Sequence, residues 1–452
     1  MKPLHFPKSI FLLLPVLFIL SATHASAAEV RQQERQQTYQ KLELFSNILS
    51  ILQDNYVEEI DTDAVIEGAI NGLLLSLDPH SSYLPPQSFE ELQNETQGSF
   101  TGIGIEITIR DGKLTVVSPI EGTPAFEAGL QANDIIVKIE DQWTKDMSPM
   151  EAIKNLRGPK GSEVTLSIFR EEWENLKEIT LVRDVIPVRS VYSLYLDEGI
   201  AYTKITNFQS RTTKDYLKAI KKLEKSGKMD AIILDLRNNP GGLLNEAVSI
   251  ADIFIDSGLL VYTKGRNEEQ NMVFTAKESG THNTKPLIVL VNEGSASASE
   301  IVAGAIQDHA RGLILGTKTF GKGSVQTIVP LQNGAGLRMT TARYYTPSGR
   351  SIQVKGINPD ITVDYVPFTE SDENSGEEYN STREVDLKNH FRNPQTPKLK
   401  KTPKTETQKQ APKASKEEEL ALRLKRDNQV QIALNIIKGI SLLEKEQTKS
   451  TD

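Results

Sequence analysis

Residues 286–300 read Pro-Leu-Ile-Val-Leu-Val-Asn-Glu-Gly-Ser-Ala-Ser-Ala-Ser-Glu, an apolar run followed at once by a turn of small polar residues. The apolar run predicts a buried strand, and the residues from about Ala298 to His309 predict a helix. A strand, a short turn and a helix in this order are typical of an α/β sheet that is covered on both faces. Ser297 therefore lies at a helix start, where unpaired N–H donors favour developing negative charge.

The same alternation of strands and helices continues around this stretch, so we predict an α/β core over residues 185–366. One of its strands, Ala231–Leu236, runs into a second strand-to-helix turn that ends in the glycine pair Gly241 and Gly242. Paired glycines let backbone N–H groups point into a cleft. Combined with the amide of Ala298, such donors form an oxyanion hole, worth about 3–4 kcal/mol of transition-state stabilisation per donor.

A lysine that can act as a base follows 25 residues after Ser297. Lys322 lies in Thr-Phe-Gly-Lys-Gly-Ser-Val-Gln, residues 319–326, between glycines that let another backbone come close. A serine hydroxyl needs a base to become a nucleophile, and a buried, neutral lysine can be that base. Apolar neighbours such as Phe320 and Val325 are expected to lower its pKa, which predicts a closed, dry site and an activity that rises with pH.

Gln326 follows four residues after Lys322. If the backbone between them is extended, both side chains lie on one face, so the amide can orient the amine without adding charge. The serine is less well defined by its spacing. Ser295 and Ser299 flank Ser297 and are chemically equivalent to it, so spacing alone does not separate the three.

Other chemistries at these residues are disfavoured. Residues 316–322 are similar to a phosphate loop, but position 323 is Gly where that motif requires Ser or Thr. Asp308 and His309 point in different directions on a helix, which argues against a Ser-His-Asp arrangement. Glu300 lies in the first helical turn, where a carboxylate usually compensates the helix dipole. We therefore expect no ATP, no metal and no other cofactor.

Composition narrows the class of protein further. The chain has 452 residues, enough for two or three domains. Its formal net charge is −8 and its basic residues form no folded stripe, which argues against nucleic acid as a partner. It contains no cysteine, which excludes disulfides and thiolate metal sites, and its histidines form no metal-ligand pair such as HExxH.

The first 27 residues predict a signal peptide. Lys2 and Lys8 precede an apolar run from Ile10 to Leu20, and Ala25-Ser26-Ala27 supplies the small residues of a cleavage site. The run is shorter than the roughly 20 residues that span a bilayer. We expect an exported, periplasmic protein, either soluble or membrane-associated, with an uncleaved membrane anchor as the alternative.

The two ends of the mature chain predict helices. Apolar residues recur at helical spacing in the region 28–97 and again in a final helix within 417–452. Residues 367–416, rich in Lys, Pro, Thr and Gln, predict a disordered linker. The apolar faces of the terminal helices must be buried against the body of the protein or against a second copy, and these two alternatives, the second of which is a homo-oligomer through the terminal helices, stay open.

Residues 98–184 predict a separate unit of strands and short helices. Within it, Ser148-Pro149-Met150-Glu151 predicts a helix start, since it joins a capping serine to a proline and to a glutamate at the third helical position. The order of elements resembles a PDZ domain of the bacterial protease type, best of all over residues 124–136. That resemblance implies that a glycine-rich turn binds the terminal carboxylate of a peptide, which then adds a strand to the sheet.

The turn that matches in this chain is Gly102-Ile103-Gly104-Ile105. Arg157, at the end of the capped helix, is a candidate for holding or relaying charge in peptide binding. A solvated arginine favoured by the helix dipole is the alternative.

The motifs over about residues 40–366 together resemble the carboxyl-terminal (tail-specific) processing peptidases. These are serine proteases with a Ser-Lys dyad, an inserted PDZ domain and a crotonase-like α/β core. The resemblance implies that Ser297 is the nucleophile, Lys322 the base and Gln326 its orienting partner. It assigns the oxyanion amides to Gly242 and Ala298, with Gly241 as the alternative to Gly242. The matching stretches are residues 77–84, 236–242, 292–300, 320–326, 345–350 and 356–361.

The function implied by this resemblance is that of an ATP-independent serine endopeptidase. Its PDZ domain would capture protein or peptide substrates by free, apolar C-termini and is also a candidate gate; the need for an adaptor protein is left open. A non-catalytic PDZ adaptor on a protease-like body is the competing class. Thioester chemistry on the crotonase-like core would need a coenzyme A pocket, and nothing in the sequence marks one.

Overall fold

The computed structural model describes residues 13–110, 112–277, 284–366 and 416–449. The first part of the predicted signal peptide and nearly all of the predicted linker lie outside these residues. The chain divides into two compact units, Met1–Pro79 and His80–Asp452. Within the described ranges, no helix combines the length and apolar content that a membrane span requires.

The elements are numbered in chain order. The helices are α1 (Leu13–Asn55), α2 (Thr62–Leu75), α3 (Pro86–Gln97), α4 (Pro124–Glu127), α5 (Pro149–Leu156), α6 (Thr212–Ser226), α7 (Leu244–Phe254), α8 (Ala298–Asp308), α9 (Lys416–Lys425) and α10 (Asn428–Lys449). The strands are β1 (Ser82–Leu84), β2 (Ser99–Gly102), β3 (Ile105–Arg110), β4 (Lys113–Pro119), β5 (Ile135–Ile139), β6 (Gln142–Trp143), β7 (Glu163–Phe169), β8 (Lys177–Val182), β9 (Asp184–Pro187), β10 (Val191–Asp197), β11 (Ile200–Ile205), β12 (Ala231–Asp235), β13 (Leu259–Gly265), β14 (Val273–Thr275), β15 (Leu287–Val291), β16 (Leu313–Gly316), β17 (Ser324–Pro330), β18 (Gly336–Tyr345) and β19 (Ile361–Thr362).

The first unit consists of α1 and α2. The helix α2 begins at a capping residue, Asp61, whose carboxylate accepts hydrogen bonds from the backbone amides of Asp63 and Ala64. An acidic N-cap satisfies amides that have no partner within the helix and complements the dipole.

The PDZ-like region is built on an antiparallel sheet in the order β3-β4-β5-β7-β8, with β6 on β5. The strands β2 and β9 pair with each other and so join the entry and the exit of this region. The predicted helix start is confirmed, because Ser148 and Glu151 form both hydrogen bonds of a capping box at the start of α5. Among the described residues, β3 pairs with β4 alone in this sheet, which leaves its other edge open.

The core sheet has the order β10-β11-β12-β15-β16-β19 and is parallel except for β10. Alternate side chains of its central strands enter two different apolar clusters, as expected for a sheet buried on both faces. One cluster, which includes Ile232, Leu234 and Val289, packs against α6, α7 and α8. The other, which includes Ile233 and Leu290, packs against α9 and α10.

A second sheet has the order β1-β18-β13-β14, with β17 on β18. Residues 319–326, the lysine segment, lead into β17, which begins two residues after Lys322. The predicted single C-terminal helix is two helices in the structure, because the chain breaks at Asp427. The carboxylate of Asp427 accepts hydrogen bonds from the amides of Gln429 and Val430 and thereby caps α10. The apolar side of these helices is buried against the core sheet.

Candidate active site

Ser297 occupies the turn between β15 and α8 with φ 53° and ψ −110°. A positive φ is uncommon for a residue other than glycine, and such conformations concentrate at functional sites. The two neighbouring serines are fully buried, and both hydroxyls are bonded to the backbone: Ser295 to the carbonyl of Leu236 at 2.8 Å and Ser299 to that of Asn239 at 2.9 Å. Ser297 is only half-buried. The structure thus separates three serines that spacing leaves equivalent.

The glycine turn after β12 lies directly against this serine. A β-carbon placed on Gly241 would be 2.9 Å from Cβ of Ser297 and 3.0 Å from the amide nitrogen of Ala298. The carbonyl of Asn239 accepts hydrogen bonds from the amide of Ala296 and from the hydroxyl of Ser299. The two strand-to-helix turns are therefore joined, as convergence at one edge of a parallel sheet predicts.

The hydrogen bonds of this turn distinguish its two glycine amides. The amide of Gly241 donates to Oδ1 of Asn239 at 2.9 Å in a buried position. Among the described residues, no hydrogen bond is found for the amides of Gly242 and Ala298. These two amides are the ones that remain available to a ligand oxygen.

Glu300 joins the serine turn to the lysine segment. Its side chain is fully buried, and its oxygen Oε2 accepts hydrogen bonds from the backbone amides of both Ser297, at 2.7 Å, and Lys322, at 2.9 Å. The other oxygen, Oε1, accepts from the amide of Gly321 and the hydroxyl of Thr319. Burial raises the pKa of Glu300, and these four hydrogen bonds oppose that rise.

Lys322 lies in surroundings that disfavour its charged form. Burial, together with the positive charge of Arg338, lowers the pKa of its amine. The nitrogen Nε of Arg338 is buried and has no hydrogen-bond partner among the described residues. One detail of the sequence prediction is wrong: Phe320 is 63% exposed and does not enclose the lysine, whereas Val325 is buried as expected.

Gln326 lies beyond a break in the regular strand. The strand β17 begins only at Ser324, and its register with β18 shifts between Val325 and Gln326. An extended backbone from Lys322 to Gln326 was the condition for placing both side chains on one face, and it is not met, because the register shift interrupts the alternation of side chains. The amide of Gln326 donates to the hydroxyl of Ser324 at 2.8 Å.

The predicted carboxylate-binding turn of the PDZ-like region lies at the start of the open strand β3. Gly104 has φ +80°, and a β-carbon there would be 2.4 Å from Cβ of Thr123, so only glycine fits. Arg157 ends α5 on the side of this turn. Its guanidinium contacts Glu95 of α3 at 3.1 Å and lies over the ring of Phe100, so in this state it faces the connection to the core.

His309 and Asp308 have structural partners rather than catalytic ones. The ring nitrogen Nε2 of His309 is 2.7 Å from the carbonyl oxygen of Leu259. The carboxylate of Asp308 accepts from the amide of Ser348 and pairs with Arg350. These contacts agree with the sequence argument against a Ser-His-Asp arrangement.

Two residues that shape the site were not identified from the sequence. Glu300 was interpreted as compensation of the helix dipole, and Arg338 was not singled out. Glu300 lies three residues after Ser297, which is the spacing of a capping carboxylate. This spacing was the sequence signal that could have indicated its contact with Ser297. Nothing local indicates Arg338, because it lies in β18, opposite Ile328 of β17, and its charge acts on Lys322 only in the folded protein.

Sequence profiles of known domains match consecutive parts of the chain. Residues 199–363 match peptidase family S41, and residues 101–181 match a PDZ domain. Residues 16–87 match the N-terminal domain of the activating protease CtpB.

Several bacterial proteins are similar to this chain over most of its length. The carboxy-terminal-processing protease of Bartonella bacilliformis is 45% identical over 352 residues, which cover 77% of this chain and 81% of that protein. The carboxy-terminal processing protease CtpA of Bacillus subtilis is 37% identical and covers 71% of this chain and 70% of its own. The solved photosystem II D1 C-terminal processing protease is 33% identical over 71% of this chain and 86% of that one, with a TM-score of 0.43.

Proposed function

Because this chain belongs to the carboxy-terminal-processing serine proteases of peptidase family S41, as its motifs predict, we propose that Ser297 is its nucleophile and Lys322 its general base. The observation that carries this assignment is the buried carboxylate of Glu300, which holds the backbone amides of both residues on one oxygen. The lowered pKa of Lys322 supports it, since only the neutral amine accepts a proton.

The proposed reaction proceeds through an acyl-enzyme. Oγ of Ser297 attacks the scissile carbonyl carbon as its proton passes to Nζ of Lys322. The oxyanion is stabilised by the amides of Gly242 and Ala298, which have no protein partner among the described residues. The C–N bond then breaks, and Lys322 returns the proton to the leaving amine. Water then attacks the acyl carbon as it gives a proton to Lys322, the bond between that carbon and Oγ breaks, and Lys322 returns the proton to Oγ of Ser297. We assign the orientation of the amine to Gln326, whose Nε2 donates to the hydroxyl of Ser324.

Substrate capture is assigned to the PDZ region. The open edge of β3 is available to an added peptide strand, and Gly102, Ile103, Gly104 and Ile105 form the turn before and into it. We propose that the terminal carboxylate binds this turn, that apolar end residues are preferred, and that Arg157 couples the bound peptide to the core through Glu95.

The remaining proposals concern the cellular location of the protein, its core fold and its assembly. The segment 1–27 supports export to the periplasm, and the family supports a crotonase-like core. The apolar spacing of the first helices supports a homo-oligomer, with an adaptor as a further partner. The roles of the predicted units, 28–97 for assembly, 98–184 for capture and 185–366 for catalysis, follow from these assignments.

Cleavage of casein and of a peptide with an apolar C-terminus by the parent and by Ser297→Ala tests the function. Mass spectrometry of the products locates the cut. We expect Ser297→Ala and Lys322→Ala to fold and to lose cleavage, with no requirement for ATP. A PDZ adaptor would bind the peptide and release no product even in the parent. Equal cleavage by parent and Ser297→Ala would overturn the assignment of the nucleophile.

A further inference from the structure

A buried arginine connects the C-terminal helices to the glycine turn of the active site. Arg237 is 7% exposed and directly precedes that turn. Its Nε and Nη2 donate to the carboxylate of Asp235, the last residue of β12, at distances from 2.6 to 3.1 Å. Its Nη1 donates to Asp427 at 2.9 and 3.2 Å and to Oε1 of Gln429 at 2.7 Å.

The two partners from the C-terminus are themselves held in place. Asp427 lies between α9 and α10 and caps α10 through the amides of Gln429 and Val430. Gln429 is 1% exposed, and its Nε2 donates to the carbonyl of Val363 at 2.7 Å. The position of Nη1 of Arg237 is therefore determined by the packing of the C-terminal helices on the core.

The pairing of Arg237 with Asp235 stabilises two buried opposite charges. Asp235 is fully buried and also accepts from the hydroxyl of Tyr202 at 2.7 Å. Burial would raise the pKa of Asp235, but the hydrogen bonds and charge of Arg237 outweigh it and keep that pKa below its usual value. A guanidinium presents its five donors in one rigid plane, so contacts at Nη1 restrict the whole group.

The backbone of residues 237–239 links Arg237 to the turn that carries Ser297. The amide of Arg237 donates to Asp235 at 2.9 Å, and the next residue, Asn238, has φ 58° and exchanges hydrogen bonds with Asn292. After it, the carbonyl of Asn239 bonds to the serine turn. The placement of the glycine turn against Ser297 thus depends on the position of Arg237.

We propose that Asp427 and Gln429 are positioning residues for proteolysis, acting through Arg237 on the oxyanion turn. The C-terminal helices then serve the active site in addition to covering the sheet. This inference rests on the proposed function, since it takes Ser297 and the turn 238–242 as the catalytic machinery. A displacement of about 1 Å at such a turn is enough to reduce the rate about 100-fold.

The test compares Asp427→Ala and Asp427→Asn with a matched control, Lys438→Ala, in the full chain. Asparagine is a good helix cap, so Asp427→Asn keeps the start of α10 while removing the charge that faces Arg237. Lys438→Ala removes an exposed ion pair with Asp197 from the same helix, at 2.5 Å. Steady-state kinetics on a chromogenic peptide and Tm are measured for all three, with the kinetics well below every Tm.

We expect kcat to fall at least 10-fold in Asp427→Ala and by a smaller factor in Asp427→Asn, with KM within 2-fold of the parent in both. Lys438→Ala is expected to keep kcat. If the C-terminal helices only cover the sheet, Tm falls and kcat does not. Folded Asp427 variants with kcat within 2-fold of the parent would overturn the inference. Ser297→Ala is run alongside, because cleavage by that variant would instead refute the proposed function.

Discussion

The backbone amides of Ser297 and Lys322, 25 residues apart in the chain, donate to the same oxygen of Glu300. One fully buried carboxylate therefore holds a strained serine turn and the segment that leads into a strand of a second sheet. Since two fixed backbones restrict where their side chains can reach, this arrangement would preorganise the proposed Ser297–Lys322 dyad before a substrate binds.

The first prediction concerns this carboxylate. Glu300→Gln exchanges one acceptor oxygen for an NH2 group that faces backbone donors, and each buried donor left unpaired costs about 1–3 kcal/mol. We expect Tm to fall and kcat to fall about 100-fold, because the serine and lysine segments lose their common acceptor.

Glu293→Gln is the matched control for this change. Glu293 is exposed in the same turn and accepts a hydrogen bond from the hydroxyl of Thr317. It should leave kcat and Tm close to those of the parent. Parent-like kcat in a folded Glu300→Gln protein would show that the shared carboxylate is not needed for catalysis.

The pH profile of kcat/KM is expected to report Lys322. The proposed mechanism needs the neutral amine, and a lowered pKa produces that form at lower pH, so activity should rise with pH and level off below the ordinary pKa of lysine. Arg338→Met removes a positive charge that disfavours the ammonium form. It should therefore raise the pKa of Lys322 and move the rise in activity to higher pH.

Arg338→Lys separates charge from shape in this experiment. It keeps the positive charge and should leave the rise in activity closer to that of the parent than Arg338→Met does. Identical pH profiles for the parent and Arg338→Met would mean that Arg338 has no influence on the base.

Local signals in the sequence were sufficient to predict the helices and strands, but they did not identify every side chain that surrounds Lys322. The capping box at Ser148 and Glu151 and the apolar strand at 287–291 are encoded by adjacent residues, and both were predicted. Phe320 was expected to enclose Lys322 because it is close in sequence, yet its side chain points largely to solvent. Arg338 lies in another strand, opposite Ile328, and one sequence does not reveal that its charge acts on Lys322.

The C-terminal region illustrates the same limit. Its apolar spacing predicted a helix, and the capping residue Asp427 inside the run was an overlooked sign of a break. That the carboxylate of Asp427 would reach Arg237, 190 positions earlier, depends on how the helices pack on the sheet. Helical periodicity identifies the apolar face and not the surface that it covers.

Substitution of Gly241 is predicted to disrupt the glycine turn, residues 238–242, which is proposed to supply an oxyanion amide. A β-carbon at Gly241 would meet both Cβ of Ser297 and the amide of Ala298, and its φ of +106° is unfavourable for alanine. We expect Gly241→Ala to lower kcat by about 100- to 1,000-fold, the range found when an oxyanion donor is lost. The measurement is kcat together with a circular dichroism spectrum that verifies folding.

Gly439→Ala provides the control, because Gly439 lies in α10 with no atom within 4 Å of an added β-carbon. Alanine is the better helix former by about 1 kcal/mol, so this variant should be at least as stable as the parent and fully active. If Gly241→Ala keeps parent kcat, the turn does not contact the reacting carbonyl.

The last prediction separates substrate capture from catalysis. Gly104 and Gly122 both have positive φ, +80° and +74°, but only a β-carbon at Gly104 would collide with a neighbour, Thr123. Both alanine variants therefore carry a similar backbone cost, whereas Gly104→Ala also displaces the turn proposed to bind the peptide carboxylate. We expect Gly104→Ala to raise KM at least 10-fold for a substrate with a free C-terminus, and Gly122→Ala to change it little. Amidation of that C-terminus should raise KM in the parent and in Gly122→Ala but not further in Gly104→Ala, because the contact it removes is already lost there. An equal effect of amidation in all three proteins would place carboxylate recognition elsewhere in the chain.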